Sequence, residues 1–123
     1  MSAESESSPD RLALVLESLR AFVREREWST FHDPKNLAMA ISSESGELAQ
    51  ELRWISNADS DAHCQGPGRE RILDEAGDVL ITALLFCDRI GLDPVEAVQR
   101  KLAKNAKKYP VERARGVAQL PKS

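Results

Sequence analysis

The chain is poor in cysteine, in histidine and in any excess of positive charge, and each scarcity removes a class of function. Its two cysteines, Cys64 and Cys87, do not form a spaced metal-binding pair and read as free thiols in a reducing cytosol. A net charge of −3 provides no basic excess of the kind nucleic-acid binders display, so no nucleic-acid partner is expected. The longest apolar stretch, residues 79–87, is far short of the roughly 20 residues that span a bilayer. Residues 1–9 are rich in Ser and Glu, with neither the basic nor the apolar region of a signal peptide. These absences together predict a cytoplasmic protein with no membrane partner. Also missing are a Walker loop, a Ser/His/Asp or Cys/His nucleophile system, and any segment with the alternation of a half-buried strand.

What remains is helical. At 123 residues, 41% hydrophobic and 30% charged, the chain suffices for one modest core, and we expect one domain at residues 9–110. A disordered N-terminal tail (1–8) and a flexible C-terminal tail (111–123) flank it. Four segments carry helical periodicity: residues 9–27, 34–55, 69–90 and 93–109. Ser8-Pro9, Asp33-Pro34 and Asp93-Pro94 each place a capping side chain before proline at the first helical position. Gly91 ends the third helix and Pro110 stops the fourth. Residues 56–68, polar and containing Gly and Pro, read as a long mobile connection.

The third helix is apolar nearly all round over residues 79–87, whereas a surface helix needs only one apolar stripe. Burying a Leu or Ile contributes about 1.5–3 kcal/mol, so a face that four helices leave wet is best covered by another subunit. A homodimer or homotetramer is expected.

Two acid pairs carry the chemistry. Glu44-x-x-Glu47 and Glu75-x-x-Asp78 each put two carboxylates on one helix face. Spacing alone is weak evidence: 20 acids in 123 positions give about three such pairs by chance, and the chain has three. The third, Asp93 and Glu96, has the form of a capping box. Both remaining pairs border the apolar stripes their helices must bury, with Ile41, Leu48 and Leu52 around the first and Ile72, Val79 and Ala83 around the second. If those faces meet, four carboxylates converge. Like charges 4 Å apart repel by about 4 kcal/mol at an effective dielectric of 20, so the cluster calls for cations or protonation. An all-carboxylate set without Cys or His suits a hard ion such as Mg²⁺.

Around the acids stand candidate substrate contacts. Lys101, Lys104 and Lys108 recur at helical spacing, with Asn105 and Tyr109 beside them, and offer cations and hydrogen bonds to a polyphosphate. Lysines near a helix C-terminus also complement its dipole, which is their bland explanation. Trp28 and Trp54, the only tryptophans, each end a helix beside an irregular segment, where an indole face can stack on a base or simply pack. His32 has no Glu-x-x-His relation to an acid, which disfavours a dinuclear iron site and leaves it a capping or hydrogen-bonding role.

Read in order, Trp28, residues 31–37, Glu44-Ser45-Gly46-Glu47-Leu48-Ala49, Trp54, Glu75-Ala76-Gly77-Asp78-Val79-Leu80 and Lys108-Tyr109-Pro110 resemble the MazG-like all-α nucleoside triphosphate pyrophosphatases, specifically the dCTP pyrophosphatase branch. The resemblance implies an oligomeric four-helix subunit with Mg²⁺ held by Glu44, Glu47, Glu75 and Asp78. It implies cleavage of a nucleoside triphosphate to monophosphate and pyrophosphate, with Lys104, Asn105, Lys108 and Tyr109 at phosphate or sugar and Trp28, His32 and Trp54 at the substrate. Leu19 and Thr82 depart from the branch, which carries His and Tyr there, and widen the expected choice to related or modified pyrimidines. The alternatives are a phosphoribosyl-ATP pyrophosphatase-like enzyme and a non-catalytic helical nucleotide-binding oligomer.

Overall fold

The computed structural model describes residues 10–118, and among them every regular element is helical. The order is α1 (Arg11–Glu25), a short 3₁₀ turn (Ser29–Phe31), α2 (Pro34–Leu52), α3 (Asn57–Gln65), α4 (Arg69–Arg89), α5 (Pro94–Lys108) and α6 (Val111–Ala114). The all-α expectation holds. The chain divides into two compact units, one ending at Gly91 and the other starting at Leu92.

In the first unit the starts of α1 and α2 follow from local chemistry. The Asp10 carboxylate accepts from the N–H groups of Leu12 (3.1 Å) and Ala13 (3.2 Å), so α1 opens at Arg11. The proposed Ser8-Pro9 start lies outside the described residues. Asp33 accepts from the N–H of Asn36 at 2.9 Å and Pro34 begins α2, as its sequence predicts. Gly91, at φ +69, follows the last turn of α4 and takes a backbone conformation that a residue with a side chain rarely adopts.

Residues 56–68 require a correction. They hold a helix, α3, where the polarity of the segment predicted a loose connection. Its stability is local: Ser56 Oγ accepts from Asp59 N–H (3.2 Å), and Ser60 Oγ donates to the Asn57 carbonyl (2.8 Å). At the other end Gly68 N–H donates to the His63 carbonyl at 2.9 Å. The imidazole of His63 lies where a side chain on Gly68 would be, so glycine lets that ring pack against the backbone there.

The principal packing in this unit sets α2 against α4, with α1 and α3 also resting on α4. Leu37, 3% exposed, is the one fully enclosed hydrophobic side chain among the described residues. In the second unit Asp93 caps α5 by accepting from Val95 N–H (2.9 Å), and Tyr109 closes it by donating its N–H to the Asn105 carbonyl (2.7 Å). Residues 111–114, placed in a flexible tail by the sequence reading, form the single helical turn α6.

Candidate metal and nucleotide site

Since α2 and α4 pack on each other, their two acid pairs come together. One carboxylate oxygen from each of Glu44, Glu75 and Asp78 lies within 4.8 Å of the others. Glu47 belongs to the same cluster by charge, since it acts on both Glu44 and Glu75, but it contributes no atom to that tight set.

The cluster is frustrated as it stands. Glu44 Oε2 and Glu75 Oε2 are shielded from solvent and have no hydrogen-bond partner. Buried carboxylate oxygens without donors are costly, so a native protein that keeps two of them side by side needs a compensating positive charge or proton. Both groups respond in the expected direction. Desolvation pushes the Glu44 carboxyl above its ordinary value; Glu47, near enough to share a hydrogen bond when one of the two is protonated, raises it further, as do the charges of Asp78 and Glu75. Glu75 is raised by desolvation first and then by Glu47, Asp78, Glu51 and Asp74. The donors are oxygen only, three of them meet at one point, and two lack any other partner; this is the chemistry a hard divalent cation requires.

Two cavities border the cluster. The first, about 610 Å³, has Glu44 and Asp78 in its wall together with Trp28 and His32. Its other walls are largely apolar, from Leu14, Leu19, Phe22, Ile81 and Leu85. Thr82 is also there, its hydroxyl donating to the Asp78 carbonyl (3.1 Å) and the Val79 carbonyl (3.0 Å) within its own helix. The second cavity, about 420 Å³, has Glu47 and Glu75 in its wall with Gln50, Glu51, Arg53, Trp54 and Arg71. The two tryptophans therefore do not share one cavity within this chain.

Trp28 is held from two sides. Its ring meets Phe22 edge-on at 5.6 Å and His32 edge-on at 6.3 Å. Phe22 in turn carries the Arg26 guanidinium 3.6 Å from its ring centre. The contact of Phe22 with Trp28 crosses the end of α1 and has no local spacing signal in the sequence. Lys104 and Asn105 lie on α5 in the second unit, Lys108 ends that helix, and Tyr109 caps it with the Lys108 ammonium 5.4 Å from its ring centre.

A model of the MazG-like family matches residues 39–120, about two thirds of the chain and both acid pairs. The chain belongs to the MazG-like family. This MazG-like chain is 38% identical over 98 residues to dCTP pyrophosphatase 1 of Rattus norvegicus, covering 79% of the chain and 58% of that relative. It is 34% identical over 122 residues to dCTP pyrophosphatase 1 of Homo sapiens, covering 91% of the chain and 71% of the relative. The chain thus spans less than two thirds of the length of the rat protein. Among solved structures it is similar to a pyrophosphatase from Archaeoglobus fulgidus, with a TM-score of 0.77 and 37% identity over 84% of this chain and 95% of that one.

Proposed function

We propose that this MazG-like chain is a Mg²⁺-dependent nucleoside triphosphate pyrophosphohydrolase, acting on dCTP or a related or modified pyrimidine nucleotide for pool control or house-cleaning. The observation that carries this reading is the convergence of carboxylate oxygens from Glu44, Glu75 and Asp78, with Glu44 and Asp78 in the wall of the cavity that also holds Trp28 and with one shielded oxygen each on Glu44 and Glu75 lacking a partner. The names of the relatives agree with it.

On this reading Glu44, Glu75 and Asp78, with Glu47 beside them, hold Mg²⁺, which supplies charge neutralisation on the phosphate oxygens. Water attacks the α-phosphorus, the bond to the bridging oxygen breaks, and nucleoside monophosphate and pyrophosphate leave. A glutamate of the cluster orients the water and takes its proton. Trp28 and His32 line the base cavity, while Lys104, Asn105, Lys108 and Tyr109 serve phosphate and sugar. Leu19 and Thr82 both border the Trp28 cavity. An apolar wall rejects a wrong base weakly, so base selection is broad.

The chain acts as a homodimer or homotetramer in the cytoplasm. Support for assembly comes from the scarcity of enclosed side chains, with Leu37 alone at 3% exposure while Leu80 of the apolar α4 run stands 62% exposed and Trp54 83%. The cytoplasmic assignment is supported by two free cysteines, and no helix of the described residues is long and apolar enough to cross a membrane.

Incubation of the purified protein with Mg²⁺ and a panel of nucleoside triphosphates, including modified pyrimidines and phosphoribosyl-ATP, tests the proposal. Pyrophosphate and monophosphate should appear, fastest from a pyrimidine deoxynucleotide. Release of diphosphate and orthophosphate, or no turnover at all, rejects it, and preference for phosphoribosyl-ATP replaces it with the rival enzyme.

A further inference from the structure

A third cavity lies in the first unit, on the other side of His32. Its volume is about 580 Å³, inside the range that small organic ligands fill. It shares Val23, His32 and Leu85 with the Trp28 cavity, yet its chemistry is different. Three arginines border it, Arg20, Arg24 and Arg89, beside the hydroxyl residues Ser29 and Thr30, all five of them exposed. Two carboxylates, Glu27 and Asp88, oppose them, so three cations against two anions leave +1 in a chain whose sum is −3.

The three arginines are not equivalent. Arg20 is committed to Asp88, whose Oδ1 accepts from Nε at 2.9 Å and lies 2.7 Å from Nη2. That pair is neutral and fixes the wall between α1 and α4. Arg89 uses Nη1 to donate to the Ser29 carbonyl at 2.8 Å, which anchors the 3₁₀ turn and leaves the rest of its donor fork uncommitted. Arg24 makes no ion pair or side-chain hydrogen bond among the described residues. The rim beside it is held in shape. Glu27 sits in the left-handed region at φ +53, with its N–H donating to the Arg24 carbonyl (3.1 Å) and the Trp28 N–H donating to the Val23 carbonyl (3.0 Å).

Arg24 and Arg89 both occupy the last turn of their helices, where a cation complements the terminal carbonyls. That accounts for each charge separately. It does not account for two arginines with unused donors and two hydroxyl residues bordering one space of ligand size. Planar guanidinium forks bind phosphate oxygens in pairs.

We propose that this cavity is a second ligand site, which takes a small organic phosphate with Arg24 and Arg89 as the donors to its anionic group. A bare phosphate ion would leave most of the space empty, so the ligand carries an organic part against Val23, Leu37 and Leu85. The shared wall at His32 places it next to the Trp28 cavity.

Calorimetric titration of the metal-free protein with ribose 5-phosphate tests the site, with inorganic phosphate as the second arm. No metal and no triphosphate is present, so the result is independent of the pyrophosphohydrolase reading. Saturable binding of the sugar phosphate is expected, tighter than that of inorganic phosphate. Arg24→Gln should weaken it about tenfold and Arg24→Lys less, since a charge-assisted hydrogen bond is lost in one and partly kept in the other. Glu47→Gln, in the acidic cluster, should leave it unchanged. Thermal melts of the Arg24 variants should stay close to the parent, because that side chain makes no ion pair or side-chain hydrogen bond among the described residues and serves only the end of its helix. Absence of saturable binding, or equal affinity in Arg24→Gln, overturns the proposal and returns both arginines to their helix ends. Equal affinity for inorganic phosphate overturns the organic part of it.

Discussion

Trp28 and Trp54 border the acidic cluster from two different cavities, and the two rings are held by unlike means. Trp28 is 42% exposed and fixed by Phe22 and His32 within an apolar enclosure; Trp54 is 83% exposed, with only the Arg53 guanidinium 4.7 Å from its ring centre. The cavity around Trp28 is lined mainly by apolar side chains, whereas that around Trp54 is lined mainly by polar and charged ones, Glu47, Glu51 and Arg71 among them. The same residue type, at the same kind of helix end, therefore has two different requirements. Trp28 has two aromatic neighbours within the chain, whereas Trp54 leaves most of its ring uncovered. Between them stand the acids, Glu44 and Asp78 in the wall of the first cavity and Glu47 and Glu75 in that of the second.

Under the proposed function the acids carry the chemistry and the tryptophan cavities the recognition, and Glu47→Gln tests that division with the largest expected effect. It should lower kcat by about 10²-fold or more, the usual contribution of a group that moves or holds a proton, while KM changes little and the circular dichroism stays helical. An unchanged kcat would show that Glu47 is a solvated charge on the helix face.

Replacing each tryptophan separates the two walls. Trp28→Ala should raise KM about tenfold or more, the loss expected for one base stacked on an aromatic ring, and should lower stability by about 1 kcal/mol through its lost edge contacts. Trp54→Ala should leave the stability of a dilute single chain within about 0.5 kcal/mol. If it instead lowers the molar mass seen by light scattering, a second copy covers that ring, and the contrast between the cavities is one between enclosure by the chain and enclosure by its neighbour.

Much of this was legible where the signal is local. Asp33-Pro34 and Asp93-Pro94 marked helix starts because a cap and a proline act within one turn. Glu44, Glu47, Glu75 and Asp78 were legible because residues three apart share a helix face, and the apolar stripes beside them pointed those faces inward. Helix α3 was not legible: its nine residues, Asn57–Gln65, include only Ala58, Ala62 and Cys64 as apolar side chains, so the periodicity that reveals a helix is absent and only the caps, Ser56 and Gly66, mark its limits. Nor was the division of the tryptophans, since cavity membership depends on which faces of α1, α2 and α4 meet. The arginine-lined cavity is the extreme case. Arg20 and Asp88 are 68 positions apart, and Arg89 and Ser29 are 60 apart, so no window of sequence contains either contact.

The smallest effect, and the most direct test of the frustration at the acids, is the pH dependence of stability without metal. Glu44 and Glu75 are both raised above the ordinary value of 4.5, so in the window just above it the folded protein holds protons that the unfolded chain has released. Stability from these two groups is therefore fully present below the ordinary value and is lost as pH rises through their folded values. Most carboxylates in ion pairs or caps behave in the opposite way, which is why the comparison of variants matters more than the slope of the parent. In EDTA, Glu44→Gln and Glu75→Gln should each flatten the decline in Tm between mildly acidic and neutral pH, and each should be at least as stable as the parent at neutral pH, because the variant removes a charge that has no partner. Adding Mg²⁺ should raise Tm of the parent at neutral pH and do so less at acidic pH, where protons compete for the same oxygens. A parent whose Tm ignores Mg²⁺, or a Glu44→Gln variant that loses stability in EDTA at neutral pH, would mean that the two partnerless oxygens are satisfied by something other than a cation.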